Sequence, residues 1–274
     1  LPSGGRRLTF KETAKMKIWL QSGSALASDN ATPYGRMYED SLGRHLSSVA
    51  RPGTTLQTGG IDGTPFGKDR YRAAYHQVVS LMMKSILQAE AEGFDAVAVI
   101  NTLDHGYYEL REVLEVPVVF ISESSMCLAC QLAPSFSFVT HNPLILQHVS
   151  ELGHRYGLAD RMVAGGSMAL TYEDFPKMYD EPQRYIDAFA EAARPVIARG
   201  AGMILVAGNP LNMFLIDQGV REIDGVPILD CCAAAVKTAE ILVDLDKLGI
   251  RRSTKGLFAA PPPEDRARLR ELYT

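Results

Sequence analysis

Apolar runs and polar turns alternate along the whole chain. "KIWLQ" (17–21) and "TTLQTGGI" (54–61) read as strands, and the stretch between them, "YGRMYEDSLGRHLSSVA", has helical spacing. A long helix is expected over 71–93. "DAVAVI" (95–100) and "PVVFIS" (117–122) are short β-branched runs with a brief helix between them. "FSFVT" (136–140), "RMVAGGSMA" (161–169), "MILVAG" (203–208) and "VPILD" (226–230) continue the strand series, and helices over 144–156, 183–199 and 233–248 alternate with them. The strands are near-continuously apolar rather than alternating, which predicts parallel sheets covered by helices on both faces. The expected class is α/β.

The chain also repeats itself. "EGFDAVAVINTLDHGYYELREVLEVPVVFISESSMCLAC" can be laid on "RGAGMILVAGNPLNMFLIDQGVREIDGVPILDCCAAAVKTA". Each copy runs from a Gly through an apolar strand, a polar turn with Asn and a short helix. A Val-Pro strand follows, then a helix opening on small residues and Cys. Two copies imply two similar lobes related by a pseudo-twofold axis and facing each other across a cleft. Lobe 1 is expected over 16–122 plus 230–252, and lobe 2 over 123–229. A C-terminal appendage over 253–274 would serve subunit contact in a homo-oligomer. Tyr71, Met82 and Met83 suit such contact, and core packing explains them equally well. Open parallel sheets bind ligands beyond the carboxyl ends of their strands. The turns at 101–105 and 208–210 lie at such ends.

Composition narrows the function. Of the 274 residues 46% are hydrophobic and 22% charged, with a net charge of −4. No basic field invites nucleic acid, and no apolar stretch approaches the ~20 residues of a membrane span. The opening "LPSGGRRLTFKETAK" has no apolar core of a secretory signal and reads as a flexible leader over 1–15. The four cysteines form two close pairs, Cys127/Cys130 and Cys231/Cys232. That spacing predicts reduced thiols in a cytoplasmic protein. It is wrong for a zinc ribbon, because the second pair is adjacent, so no metal is expected. Small apolar residues are wanted where these helices open, and free Cys behaves as one.

The turns and the last helix resemble the aspartate/glutamate racemase superfamily, and its hydantoin racemase branch most. That branch ends a strand in Cys-Phe-Gly-Asp-Pro-Gly, where this chain has Asn101-Thr102-Leu103-Asp104-His105-Gly106. Its second turn, Leu-Gly-Cys-Gly-Gly-Met, lies on Val206-Ala207-Gly208-Asn209-Pro210-Leu211. "GVPVIDGVAAAVKLAE" matches "GVPILDCCAAAVKTAE" closely, "FSVVTT" corresponds to "FSFVTH", and "VINPNT" lies on residues 19–24. The resemblance spans roughly residues 16–252. It implies two facing lobes, no cofactor, and a small cyclic amide or carboxylate as substrate.

The departures change the chemistry. In that family two thiols face each other across the cleft. One removes a proton beside a carbonyl and the other returns one to the opposite face. Here Asn101 and Gly208 stand at the thiol positions. An amide is no base near neutral pH, and glycine has no side chain. A relative, arylmalonate decarboxylase, keeps one of the two cysteines; this chain keeps neither. One-sided proton chemistry is therefore expected: hydrolysis, decarboxylation or another lyase step, or an isomerisation. The alternative is a binding protein that has lost catalysis.

The candidate acid/base groups are Asp104, His105 and His141. Histidine has the side-chain pKa nearest neutrality. Against this, Asp104 could instead cap the short helix opening near Gly106, and the two histidines could be plain loop residues. Candidate substrate contacts are Ser22, Ser24, Asn101, Thr102, Thr140, Gly208 and Asn209. Asn101 and Asn209 are pseudo-equivalent amides able to donate to a developing oxyanion. The resemblance implies that Thr140 holds a carboxylate or ring carbonyl. Two further candidates open helices: Glu123, which could face the cleft, and Cys231, whose thiol pKa a helix N-terminus would lower. His45, His76, His148 and His154 sit in helical patterns and read as surface or packing residues.

Overall fold

The computed structural model describes residues 15–26, 33–63, 67–68 and 71–273. All of the expected leader except Lys15 lies outside them. Strands β1 (Met16–Gln21), β2 (Thr54–Gly59), β3 (Ala96–Val99) and β4 (Val118–Phe120) form a parallel sheet in the order β2-β1-β3-β4. A second sheet contains β5 (Ser137–Thr140), β6 (Gly166–Ser167), β7 (Ile204–Ala207), β8 (Glu222–Ile223) and β9 (Val226–Leu229), in the order β6-β5-β7-β9-β8. Without β8, the two sheets have the same order of their first, second, third and fourth strands. The repeat in the sequence, which covers the third and fourth strands of each sheet, is thus part of a wider repeat in topology.

Ten α-helices accompany the described strands: α1 (Pro33–Val49), α2 (Arg72–Ala91), α3 (Glu109–Val113), α4 (Ile121–Leu132), α5 (Pro143–Arg155), α6 (Phe175–Asp180), α7 (Pro182–Ala198), α8 (Asn209–Asp217), α9 (Cys231–Lys247) and α10 (Pro263–Glu271). Alternation along each strand explains the unbroken apolar runs. In β3, Ala96 and Ala98 enter a central core, while Val97 and Val99 enter an outer core with Val78, Met82 and Ile86 of α2. In β7, Leu205 and Ala207 face the central core, and Ile204 and Val206 face a second outer core with Phe189 and Val196 of α7. The central core draws on both sheets and on Met126 of α4 and Val236 of α9. Helix α9 lies against β1, β3 and β4, and also packs on α4. The lobes are therefore joined through these two helices.

Three expectations gain detail from the structure. Met82 and Met83 are fully buried in the outer core of the first sheet and are not free for subunit contact. The second sheet is not wholly parallel, because β8 runs antiparallel to β9. The turn between them is Asp224-Gly225, with φ of +48° and +80°. Two successive positive φ values suit a tight hairpin, and Asp-Gly is a pair that tolerates them. Finally, the C-terminal segment packs back on α2 and α3. Phe258 receives the Arg111 guanidinium 4.9 Å from its ring centre, and Arg266 and Arg270 pair with Glu115 and Glu90. Among the described residues no helix is long and apolar enough to cross a membrane.

Candidate functional site

The turn after β3 is held from inside. Asp104 takes φ +46°, a conformation that Asp tolerates better than most residues. Its carboxylate is wholly buried. Oδ1 accepts from the Ser122 N–H at 3.0 Å, and Oδ2 from the Glu123 N–H at 2.9 Å and the Tyr156 hydroxyl at 2.7 Å. Asp104 therefore caps α4, eighteen residues on, and not the short helix near Gly106. Both oxygens are engaged, so its reading as a catalytic acid or base loses its geometric footing. Burial pushes its pKa up to about 7 against the pull of the three donors.

His105 and Asn101 form a pair. The imidazole is fully buried, and its Nδ1 lies 2.7 Å from Asn101 Oδ1. The same oxygen accepts the Leu103 N–H at 3.0 Å. Tyr75 stacks on the ring, with centres 4.3 Å apart and planes 24° off parallel. The Tyr75 hydroxyl in turn accepts the Gly106 N–H at 3.2 Å. Burial, helped by the charges of Lys68 and His148, pushes the His105 pKa down to about 3. The ring is held neutral.

The second wall meets the first directly. The Gly208 N–H donates to Thr102 Oγ1 at 3.0 Å, and Asn209 Nδ2 donates to the Ile100 carbonyl. Thr102 and Asn209 are thus committed to joining the two turns. Asn209 Oδ1 also receives the Cys232 thiol. Thr140 is wholly buried and its hydroxyl donates to the Ala207 carbonyl at 2.8 Å. That hydroxyl proton is spent on the sheet, contrary to a carbonyl-binding role. His141 is buried and meets Phe175 edge-on at 4.9 Å.

Gly208 has φ +119°, and a Cβ there would come within 2.9 Å of His141 Nδ1. The imidazole fills the space a side chain at 208 would enter. The first lobe inverts the pattern: a Cβ at Gly23 would come within 2.5 Å of Asn101 Nδ2. We expect Gly208→Ala to cost roughly 1–3 kcal/mol from backbone strain and crowding. A urea midpoint unchanged from the parent would contradict this packing.

Other candidates fall outside this constellation. Ser22 Oγ accepts the Ser24 N–H at 3.1 Å, an ordinary serine turn. Glu123 is engaged elsewhere. It binds the Tyr107 hydroxyl and pairs with Arg111 at 2.6 Å, in a network stacked on Phe120 and Phe258. Cys231 is buried and its thiol is pushed up to about 11, the reverse of activation, because desolvation outweighs the helix terminus. No cluster of metal-binding side chains occurs among the described residues. His45 is more than packing, since its Nε2 lies 2.5 Å from Asp230, the N-cap of α9. His148 belongs to the charge environment of His105. Tyr75 and Tyr156 act on the site from α2 and the end of α5. Nothing in their sequence surroundings marks them.

Comparison with known proteins adds a lineage. Residues 39–239 match the family model described as Asp/Glu/Hydantoin racemase. The chain is 30% identical over 200 residues to a hydantoin racemase of Pseudomonas sp. (strain NS671), covering 73% of this chain and 78% of the relative. It is 29% identical over 164 residues to a hydantoin racemase of Rhizobium meliloti, covering 59% and 66%. An allantoin racemase from Klebsiella pneumoniae superposes with a TM-score of 0.73 at 22% identity, covering 90% of this chain and 94% of that one. A glutamate racemase from Bacillus anthracis superposes with a TM-score of 0.58 at 12% identity, covering 86% and 83%. At these identities the structural likeness is one of fold.

Proposed function

Because the chain belongs to the Asp/Glu/hydantoin racemase family, we propose that it is an enzyme moving a proton at a carbon beside a carbonyl. Its substrate is a small cyclic amide or carboxylate, and the reaction needs no cofactor. A hydantoin-type ring is the first choice, since similar proteins are named for hydantoin and allantoin. Isomerisation is the reaction the family suggests. Hydrolysis and C–C cleavage are the other outcomes open to acid/base groups without thiols.

One observation carries this reading. At each position that the resemblance gives to a thiol, the residue present lies against a histidine foreign to the family frame. Asn101 is bonded to His105, where the frame has Pro. Gly208 lies under His141, where the frame has Thr. Burial holds the His105 ring neutral, so the acid/base work falls to the second imidazole. His141 is the acid/base group of the proposal. The Asn101 Nδ2 donors are available to polarise a carbonyl oxygen.

The test is a panel of 5-substituted hydantoins, cyclic imides and malonates incubated with the protein in deuterated water. Deuterium uptake at the carbon beside the carbonyl is the expected result. Ring opening or release of carbon dioxide would assign one of the other reaction classes. Calorimetric binding with no exchange and no turnover across the panel would make the chain a binding protein and overturn the proposal.

A further inference from the structure

We propose that Asn101 and His105 together form a fixed hydrogen-bond acceptor for a ring N–H, so that the chain selects cyclic imides and ureides with that N–H free over their N-alkylated counterparts. This rests on the reading of the cleft given above and adds what the cleft recognises.

Donors and acceptors fix the tautomer of His105. The Leu103 N–H, 3.0 Å away, identifies the atom it meets on Asn101 as the amide oxygen rather than the nitrogen. That oxygen has only lone pairs to offer. His105 Nδ1, 2.7 Å from it, must therefore carry the proton. In a neutral imidazole the other nitrogen then holds a bare lone pair. Nε2 of His105 is buried and has no hydrogen-bond partner. Its lone pair points along the ring edge turned away from Asn101. Buried acceptors without partners are uncommon and unfavourable, and a ligand N–H satisfies this one.

Two further features keep the acceptor as it is. The stacked Tyr75 ring fixes the imidazole plane, and burial with the charges of Lys68 and His148 opposes protonation of the ring. An imide or ureide edge supplies such an N–H, made a stronger donor by the carbonyl groups beside it. The family frame has Cys and Pro at these two positions, and proline offers no such lone pair. The two departures touch each other, and neither builds the acceptor alone. Asn101 is a positioning residue here and His105 is the group that meets the ligand.

The test joins a spectroscopic and a binding measurement on the full chain. In 15N NMR of histidine-labelled protein, His105 should report a protonated Nδ1 and a bare Nε2, and Asn101→Leu should move it toward the Nε2–H form. By calorimetry, 5-methylhydantoin should bind better than one of its N1-methyl and N3-methyl derivatives by roughly tenfold to a hundredfold. That preference should vanish in His105→Phe and shrink in Asn101→Leu. An Nε2–H ring in the parent protein overturns the proposal, whatever the ligand. So does equal binding of all three compounds, or a preference that survives in His105→Phe. If none of the three binds or is turned over, the hydantoin reading of the cleft falls with it. Turnover that is indifferent to N-methylation removes this inference alone.

Discussion

Replacing His141 by alanine should lower turnover by about 10²–10⁴-fold, the usual worth of a positioned acid/base group, while the fold survives. His141 is buried over Gly208, between the end of β5 and the second turn. No side chain at 208 can take over its task, because that position has none. Its backbone carbonyl accepts the Leu170 N–H at 2.6 Å, a contact that alanine retains. The space left beside Phe175 costs some stability, but the sheet bond from Thr140 to Ala207 does not depend on the ring. The measurement is kcat on whichever panel compound the parent turns over, with circular dichroism as the check on folding. A kcat within threefold of the parent would remove His141 from the mechanism.

Asp104→Ala should give the largest loss of stability, roughly 3–5 kcal/mol, because three donors lose their acceptor. Two are N–H groups in the first turn of α4 and the third is the Tyr156 hydroxyl. These contacts also tie the turn after β3 to α4 and to the end of α5. Denaturant unfolding of parent and variant measures the difference, and a loss below about 1 kcal/mol would contradict the capping role.

The pH dependence adds a second readout. The folded pKa of Asp104 is raised to about 7 from 3.8, so its contribution to stability is full below 3.8 and declines as pH rises through 7. His105 is lowered to about 3 from 6.5, so its contribution is full above 6.5 and is lost as pH falls toward 3. Between about pH 4 and 6.5 the two slopes oppose each other, each near 1.4 kcal/mol per pH unit. Asp104→Ala removes one of them. The variant should therefore lose stability on acidification more steeply than the parent.

The architecture was legible because burial on both strand faces leaves a simple mark. Ala96 and Ala98 serve one core, Val97 and Val99 another, and the run reads apolar throughout. The repeated sequence covers the third and fourth strands of each sheet, and the shared order of the first two lies outside it. The β8–β9 hairpin had its own signal in Asp224-Gly225, which the all-parallel reading passes over.

The site was legible as a place more than as a set of roles. Capping rules look within a few residues, whereas Asp104 reaches from residue 104 to the N–H groups of Ser122 and Glu123. Thr140 was misjudged for a related reason: its partner is the Ala207 carbonyl on the adjacent strand. The thiol of Cys231 turns on desolvation, and burial at one helix end is not written in a dipeptide. The Asn101–His105 pair, four residues apart across one turn, was within reach of the sequence. The neighbouring Asp104 draws attention from it.

In the proposed reaction His141 carries the proton chemistry at a substrate carbon that the family resemblance would give to thiols. Deuterium incorporation at C5 of a chiral 5-substituted hydantoin, followed by proton NMR, tests it most directly in the parent protein and in His141→Ala. The account predicts exchange above the uncatalysed rate in the parent and a return to near that rate in His141→Ala. Exchange of equal speed in both proteins would contradict it.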